Sequence, residues 1–226
     1  MSLSDVKARI EPLPADVLDA AIRRTDGIRG WLQCTGVNGP TIVESAAAGA
    51  GVESGLARAD ALADEGVGAV IAHIAYPVSD LVRAITGALC GVDATRVTPP
   101  NASDVEWMHA CMRVRDLQAA HRLHLADALD VVDGQVAAVA GLLLGLAARK
   151  TPALLVGPTA HAAAVIAQRQ SMASATWWQS AIRDADPLVE VANERLRYEP
   201  WWTGATAVSA DVVNALITGT IASATR

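Results

Sequence analysis

The sequence predicts an α/β fold, and three observations predict it. Short, continuous, β-branched or leucine-rich runs recur, such as VGAVIAHIA (67–75) and TPALLVG (151–157). Each is followed within a few residues by a stretch with helical spacing. Runs of this kind are apolar without alternation, as in strands covered on both faces. Alternating strands and helices imply a largely parallel sheet with helices on both faces, a doubly wound, Rossmann-like architecture.

The elements follow in order. PADVLDAAIRR (14–24) reads as a short helix with Pro14 near its start, and 25–40 as a loop rich in glycine. TIVESAAAGAGVESGLARADALADEG (41–66) reads as one helix, with a capping-box spacing from Thr41 to Glu44 and Gly66 as its stop. Its AAAGAGVESG segment carries three glycines. Each costs about 1 kcal/mol in a helix relative to alanine. Close packing on another helix or on a second subunit would offset that cost.

The strand 67–75 leads into a helix over 79–91, with Ser79 at its N-cap and Gly91 after it. ATRVT (94–98) reads as a second strand and 99–104 as a loop. An amphipathic helix covers 104–125, with Trp107, Cys111, Val114 and Leu117 on one side. The segment 133–150 is apolar nearly all round, so it is a deeply buried helix. A strand over 151–157 and a helix over 159–170 follow, then SATWW (174–178) as a further strand. A helix lies within 184–199, PWWTG (200–204) is extended, and a helix over 210–224 closes the chain. No tandem repeat or long linker divides the sequence. The 226 residues read as a single domain, with 1–40 as its N-terminal helix and loop.

Composition narrows the function classes. Apolar residues make up 52% and the net charge is −6, with no cluster of basic residues. Disorder, nucleic-acid binding and attachment to an anionic membrane are all disfavoured. The longest apolar run, VAAVAGLLLGLAA, has 13 residues; a membrane span needs about 18 or more. Cys34, Cys90 and Cys111 are far apart with no metal or redox spacing, and no signal peptide precedes them. A reducing, cytoplasmic setting is the expectation.

In a parallel sheet, ligands bind at the carboxyl ends of the strands, beside helix N-termini that favour anions. Four turns qualify here: AHIAYPVSD (72–80), TPPNASD (98–104), GPTAH (157–161) and TGATAVSAD (203–211). Ser79, Asn101 and Ser103 are candidate ligand-binding groups, and each is equally an ordinary turn or cap residue. His73 and His161 stand at a strand end and a helix start, as an acid or base or as structural histidines. The doublets Trp177-Trp178 and Trp201-Trp202 offer a ring to stack on a flat ligand, Trp202 among them, or fill volume in a chain with no Phe. His121, His124 and Asp127 recur every three residues, but a solvated face is the simpler reading and no metal or other cofactor is expected.

A family resemblance rests on four segments. LHLADALDVVDGQVAAVAGLLLGLAARKTPALLVGPTAHAAAVIA (123–167) is the strongest, followed by 38–67, 197–224 and 10–24. Together they resemble nicotinate-nucleotide:dimethylbenzimidazole phosphoribosyltransferase, which makes the α-ribazole phosphate used for the lower ligand of cobalamin. The chain looks like a shortened, divergent relative. The resemblance implies a homodimer and a small aromatic or nucleotide ligand.

The family's GEMGIGNTT phosphate loop falls on AHIAYPVSD, and its GRGTG loop on or near TPPNASD. The family's closing GEGTGA segment carries the glutamate held to deprotonate the base. Here that region reads VSADVV, and Asp211 is the candidate catalytic carboxylate. Glycine lets main chain approach a phosphate and donate its N–H groups. Tyr76 is bulky, and Pro77 has no N–H to give. The expectation is a family relative without the usual phosphoribosyl transfer. The alternative is an active transferase with an altered site, acting on nicotinate mononucleotide and an azole.

Overall fold

The computed structural model describes residues 2–13, 42–45, 49–74, 76–100 and 103–201. The helices expected over 14–24 and 210–224, the loop over 25–40 and most of the extended PWWTG lie outside these residues. So do Asn101, Trp202 and Asp211.

Four parallel strands form one sheet in the order β1 (Ile42–Ser45), β2 (Ala69–His73), β3 (Ala153–Val156), β4 (Trp178–Ser180). The register pairs Val70 with Ala153 and Ala153 with Trp178. Ala69 to Ala72 and all of β3 are buried. Both faces of the central strands are therefore covered, as their unbroken apolar runs require. Val70, Ala72 and Leu155 join the main core, while Ile71 and Leu154, also fully buried, point to the opposite face. This is the expected α/β fold with a parallel sheet. The reversal of strand order that defines double winding does not fall among the described strands.

The helices are α1 (Leu3–Arg9), α2 (Val52–Asp64), α3 (Asp80–Cys90), α4 (Ala94–Val97), α5 (Asp104–His121), α6 (Ala128–Val131), α7 (Gly134–Ala148), α8 (Gly157–Gln170) and α9 (Pro187–Leu196). Asp133 caps α7 by accepting from the Val136 N–H at 3.0 Å. Residues 136–147 of α7 are all buried. α7 packs on α2 with almost no side chain between the backbones. A Cβ placed on Gly55 would lie 1.8 Å from the Ala138 carbonyl oxygen, and one on Gly141 would lie 2.3 Å from that of Val52. The cost of glycine in α2 is thus offset by a helix of the same chain.

Three expectations are corrected. The segment 41–66 is not one helix. Ile42–Ser45 is a strand, with Glu44 registered against Ile71, so no capping box forms. The helix begins only at Val52, because Gly49 and Gly51 have φ of 105° and 86°, which a right-handed helix cannot contain. The segment 94–98 is a helical turn rather than a strand. Thr98 closes it, its N–H and hydroxyl both donating to the Ala94 carbonyl. The strand expected over 174–178 is displaced: Met172–Trp177 is a 3-10 helix, and pairing starts at Trp178.

Candidate functional site

The carboxyl ends of β2, β3 and β4 share one edge of the sheet, and α3 and α8 begin there. Between β2 and α3 the chain runs through Tyr76, Pro77 and Val78 to Ser79. Ser79 is in extended conformation, and its oxygen accepts from the Val82 N–H at 3.3 Å. It is an N-cap, as its type and position require, though its hydroxyl proton is still available to a ligand. Asp80 opens α3 and accepts from Arg113 Nε at 2.7 Å. The helix start that an anion would seek therefore holds a carboxylate already matched to a guanidinium.

The β3–α8 turn meets this one. Gly157 has a φ of 82°, a conformation suited to glycine, and Pro158 follows in the first turn of α8. The Thr159 hydroxyl donates to the Tyr76 carbonyl at 2.6 Å. The two turns are thereby tied together. At Tyr76 the main chain contributes an oxygen already in use, and at Pro77 it has no N–H. A phosphate cradle needs the opposite, several convergent N–H donors on main chain free of side chains.

Beneath these turns His161 is fully buried. Its Nδ1 lies 2.7 Å from the Gly157 carbonyl oxygen and its Nε2 3.0 Å from Ser180 Oγ. A carbonyl only accepts, so Nδ1 carries the proton and Nε2 accepts from the serine hydroxyl. Burial holds the histidine below its ordinary value, partly countered by the Gly157 hydrogen bond and the charge of Asp184. This is a neutral histidine joining α8 to β4. With Ser180 also fully buried, the pair is closed to substrate.

Of the candidates named from sequence, His73 ends β2, half-buried, and Ser79 stands on the same edge. Ser103 is exposed and caps α5 by accepting from the Glu106 N–H at 3.2 Å. Asn101, Trp202 and Asp211 lie outside the described residues. Trp177 and Trp178 are both buried, their indoles donating to the carbonyls of Glu11 and Leu143. Neither ring of that doublet lines a cleft. His121 ends α5, and His124 and Asp127 are exposed. Among the described residues no three His, Cys, Asp or Glu converge as a metal site, and no single helix is long and apolar enough to cross a membrane. Burial pushes the Cys90 thiol up to about 12, so it supplies no thiolate.

Sequence reasoning missed Arg83 and Thr159. Arg83 is buried in α3, where the run from Val82 to Gly87 is otherwise without charge. A lone charge inside a buried stripe signals a paired ion, and that signal was readable.

Comparison with known proteins follows the same lines. A phosphoribosyltransferase family model matches residues 38–208. The nicotinate-nucleotide–dimethylbenzimidazole phosphoribosyltransferase of Streptomyces avermitilis is 31% identical over 206 residues, covering 87% of this chain and 53% of that protein. The Streptomyces coelicolor protein of the same name is 30% identical, with 85% and 54% covered. Among solved structures, CobT from Thermus thermophilus aligns with a TM-score of 0.62 at 18% identity, over 75% of this chain and 54% of that one. That likeness shows the fold. The chain spans about half the length of the curated relatives it matches. On the family match and the shared α/β fold, this chain belongs to the nicotinate-nucleotide–dimethylbenzimidazole phosphoribosyltransferase family.

Proposed function

We propose that this chain is a member of the cobalamin lower-ligand pathway family that does not transfer phosphoribose from nicotinate mononucleotide to dimethylbenzimidazole. It keeps the scaffold, and its remaining ligand is a small aromatic base or nucleotide. The observation that carries this reading is the β2–α3 turn. Tyr76 and Pro77 occupy it, the Tyr76 carbonyl is taken by Thr159, and the first residue of α3 is the carboxylate of Asp80. An incoming phosphate dianion meets a ring, an imide without N–H and a like charge. Arg113 offsets the charge of Asp80 but leaves the missing donors unreplaced.

Calorimetry with nicotinate mononucleotide tests this directly. The expected result is no measurable heat at micromolar concentrations. Incubation of the mononucleotide with dimethylbenzimidazole should likewise yield no α-ribazole phosphate. Micromolar affinity, or product above the uncatalysed level, would overturn the proposal. A product formed only with some other azole would support a transferase with an altered site, using Ser79, Asn101, Ser103 and Asp211.

A further inference from the structure

The stretch MHACMR (108–113) on α5 carries three sulfur atoms. Met108, Cys111 and Met112 stand at i, i+3 and i+4, so they are neighbours on one side of the helix, with Cβ atoms about 5–6 Å apart. All three line one cavity of about 350 Å³, whose other wall is Asp93 to Thr95. Met108 and Met112 are 49% and 44% exposed, whereas Cys111 is buried at 8% and is in no disulfide. The nitrogen donors of the lining are already engaged. Trp107 Nε1 donates to the Thr98 carbonyl at 3.3 Å, Gln118 Nε2 to the Val92 carbonyl at 3.1 Å, and Arg115 pairs with Asp116 at 2.7 Å. Among the described residues of the lining, the exposed Asp93 is the one carboxylate. That falls far short of the oxygen shell a hard divalent cation requires. What the cavity offers a ligand is sulfur.

We propose that Met108, Cys111 and Met112 bind one soft monovalent cation, Cu(I), as a three-sulfur site. Thiolate and thioether are the ligands that select Cu(I) over harder ions. Methionine is unbranched, with three rotatable bonds and a polarizable sulfur, so each exposed side chain can turn its sulfur toward an ion beside Cys111. On binding, the Cys111 S–H bond breaks and its proton passes to solvent. The electron pair left on sulfur forms the bond to copper, each thioether adds a lone pair, and copper stays Cu(I) throughout. One thiolate cancels the charge of the ion, so the loaded site is neutral. Arg115, already matched by Asp116, does not oppose it. The set includes two methionines, and so lies outside the His, Cys, Asp and Glu clusters that are absent among the described residues. Leucine at 108 and 112 would cover the same surface without any capacity to ligate, which supplies the control. The inference concerns α5 and does not rest on the reading of the β2–α3 turn.

Titration of the full chain with Cu(I), presented as its coloured bicinchoninate complex in anaerobic reductant, tests it. The expected result is transfer of one Cu(I) per chain, seen as loss of the visible colour and gain of a near-ultraviolet thiolate-to-copper band. Met108→Leu and Met112→Leu keep apolar volume at exposed positions, so the melting temperature of each should hold. Each should nonetheless weaken Cu(I) binding at least about tenfold, since loss of even an outer partner of a metal ligand costs that much. Cys111→Ala should abolish both the transfer and the band. Cys34→Ala and Cys90→Ala should bind as the wild type does. A wild-type chain that takes no Cu(I) from bicinchoninate would overturn the proposal. So would transfer undiminished in the double variant Met108→Leu with Met112→Leu, the mark of a thiol acting alone, or transfer lost with Cys34 or Cys90. None of these outcomes bears on mononucleotide binding.

Discussion

Arg83 and Asp186 are 103 residues apart in sequence and meet as a bidentate ion pair, with Nη1–Oδ1 at 2.9 Å and Nη2–Oδ2 at 2.7 Å. Both side chains are largely buried. The Arg83 Nη1 also donates to the Val97 carbonyl at 2.7 Å, and Asp186 caps α9 by accepting from the Leu188 N–H. One guanidinium therefore fixes α3, α4 and the start of α9 to one another. Removing one partner of such a pair strands a buried charge, at a cost of about 3–5 kcal/mol. Arg83→Ala and Asp186→Ala should each lose about that much stability in urea unfolding. The double variant should lose clearly less than the sum, because neither charge is then left alone.

Gly55 and Gly66 separate two reasons for glycine. Gly66 has a φ of 72°, and open space surrounds the point where a methyl would stand, with nothing within 4 Å. Gly66→Ala should therefore cost only backbone strain, about 1–2 kcal/mol. A methyl on Gly55 would meet the α7 backbone at the Ala138 oxygen and, at 2.5 Å, the Leu142 nitrogen. Helical backbone cannot swing aside as a side chain can. Gly55→Ala should cost about 3 kcal/mol or more, the upper end of overpacking penalties. Equal denaturation midpoints for the two variants would show that α2 and α7 can part without loss.

What was legible in the sequence was set by local chemistry. Ser79 and Gly91 bracket α3, Asp133 starts α7, and the apolar runs at β2 and β3 name their own strands, because caps and periodicity act within a few residues. The failures came where distant partners decide. Ile42–Ser45 pairs with β2, and that pairing overrode a capping-box spacing against which the glycines at 49 and 51 were the only local sign. Val97 suits a strand by its own chemistry but is buried beside Ala84, Val114 and Val191, contacts made by the helices that surround α4. Of the site, the turn at Tyr76 and Pro77 was readable. Its link to Thr159 was not, since it joins residues 83 positions apart.

Ser79 tests whether that edge of the sheet is structural or binding. As an N-cap, it should cost about 1 kcal/mol when replaced by alanine. Thermal unfolding of Ser79→Ala should show that loss, and mononucleotide titration should be silent in both proteins. A variant of unchanged stability but altered ligand heat would assign the hydroxyl to a ligand instead.

His161 gives the fold a dependence on acid. It is neutral and buried in the native state, and burial sets its folded pKa below the ordinary 6.5 that it regains on unfolding. The unfolded chain therefore binds the extra proton first. Its contribution to stability is complete above about pH 6.5 and is lost as the pH falls from there through the lower folded value. Between the two, the slope approaches about 1.4 kcal/mol per pH unit for one proton. The Gly157 carbonyl and the charge of Asp184 both favour protonation, and they shorten that window without reversing its sign. Urea unfolding at a series of pH values should show wild-type stability falling below pH 6.5 more steeply than that of His161→Gln. The variant should be weaker at pH 7, because glutamine does not reproduce both the Gly157 and Ser180 bonds, yet flatter in acid. Parallel curves would mean that His161 accepts its proton within the native state, and that β4 and α8 part enough to let water reach it.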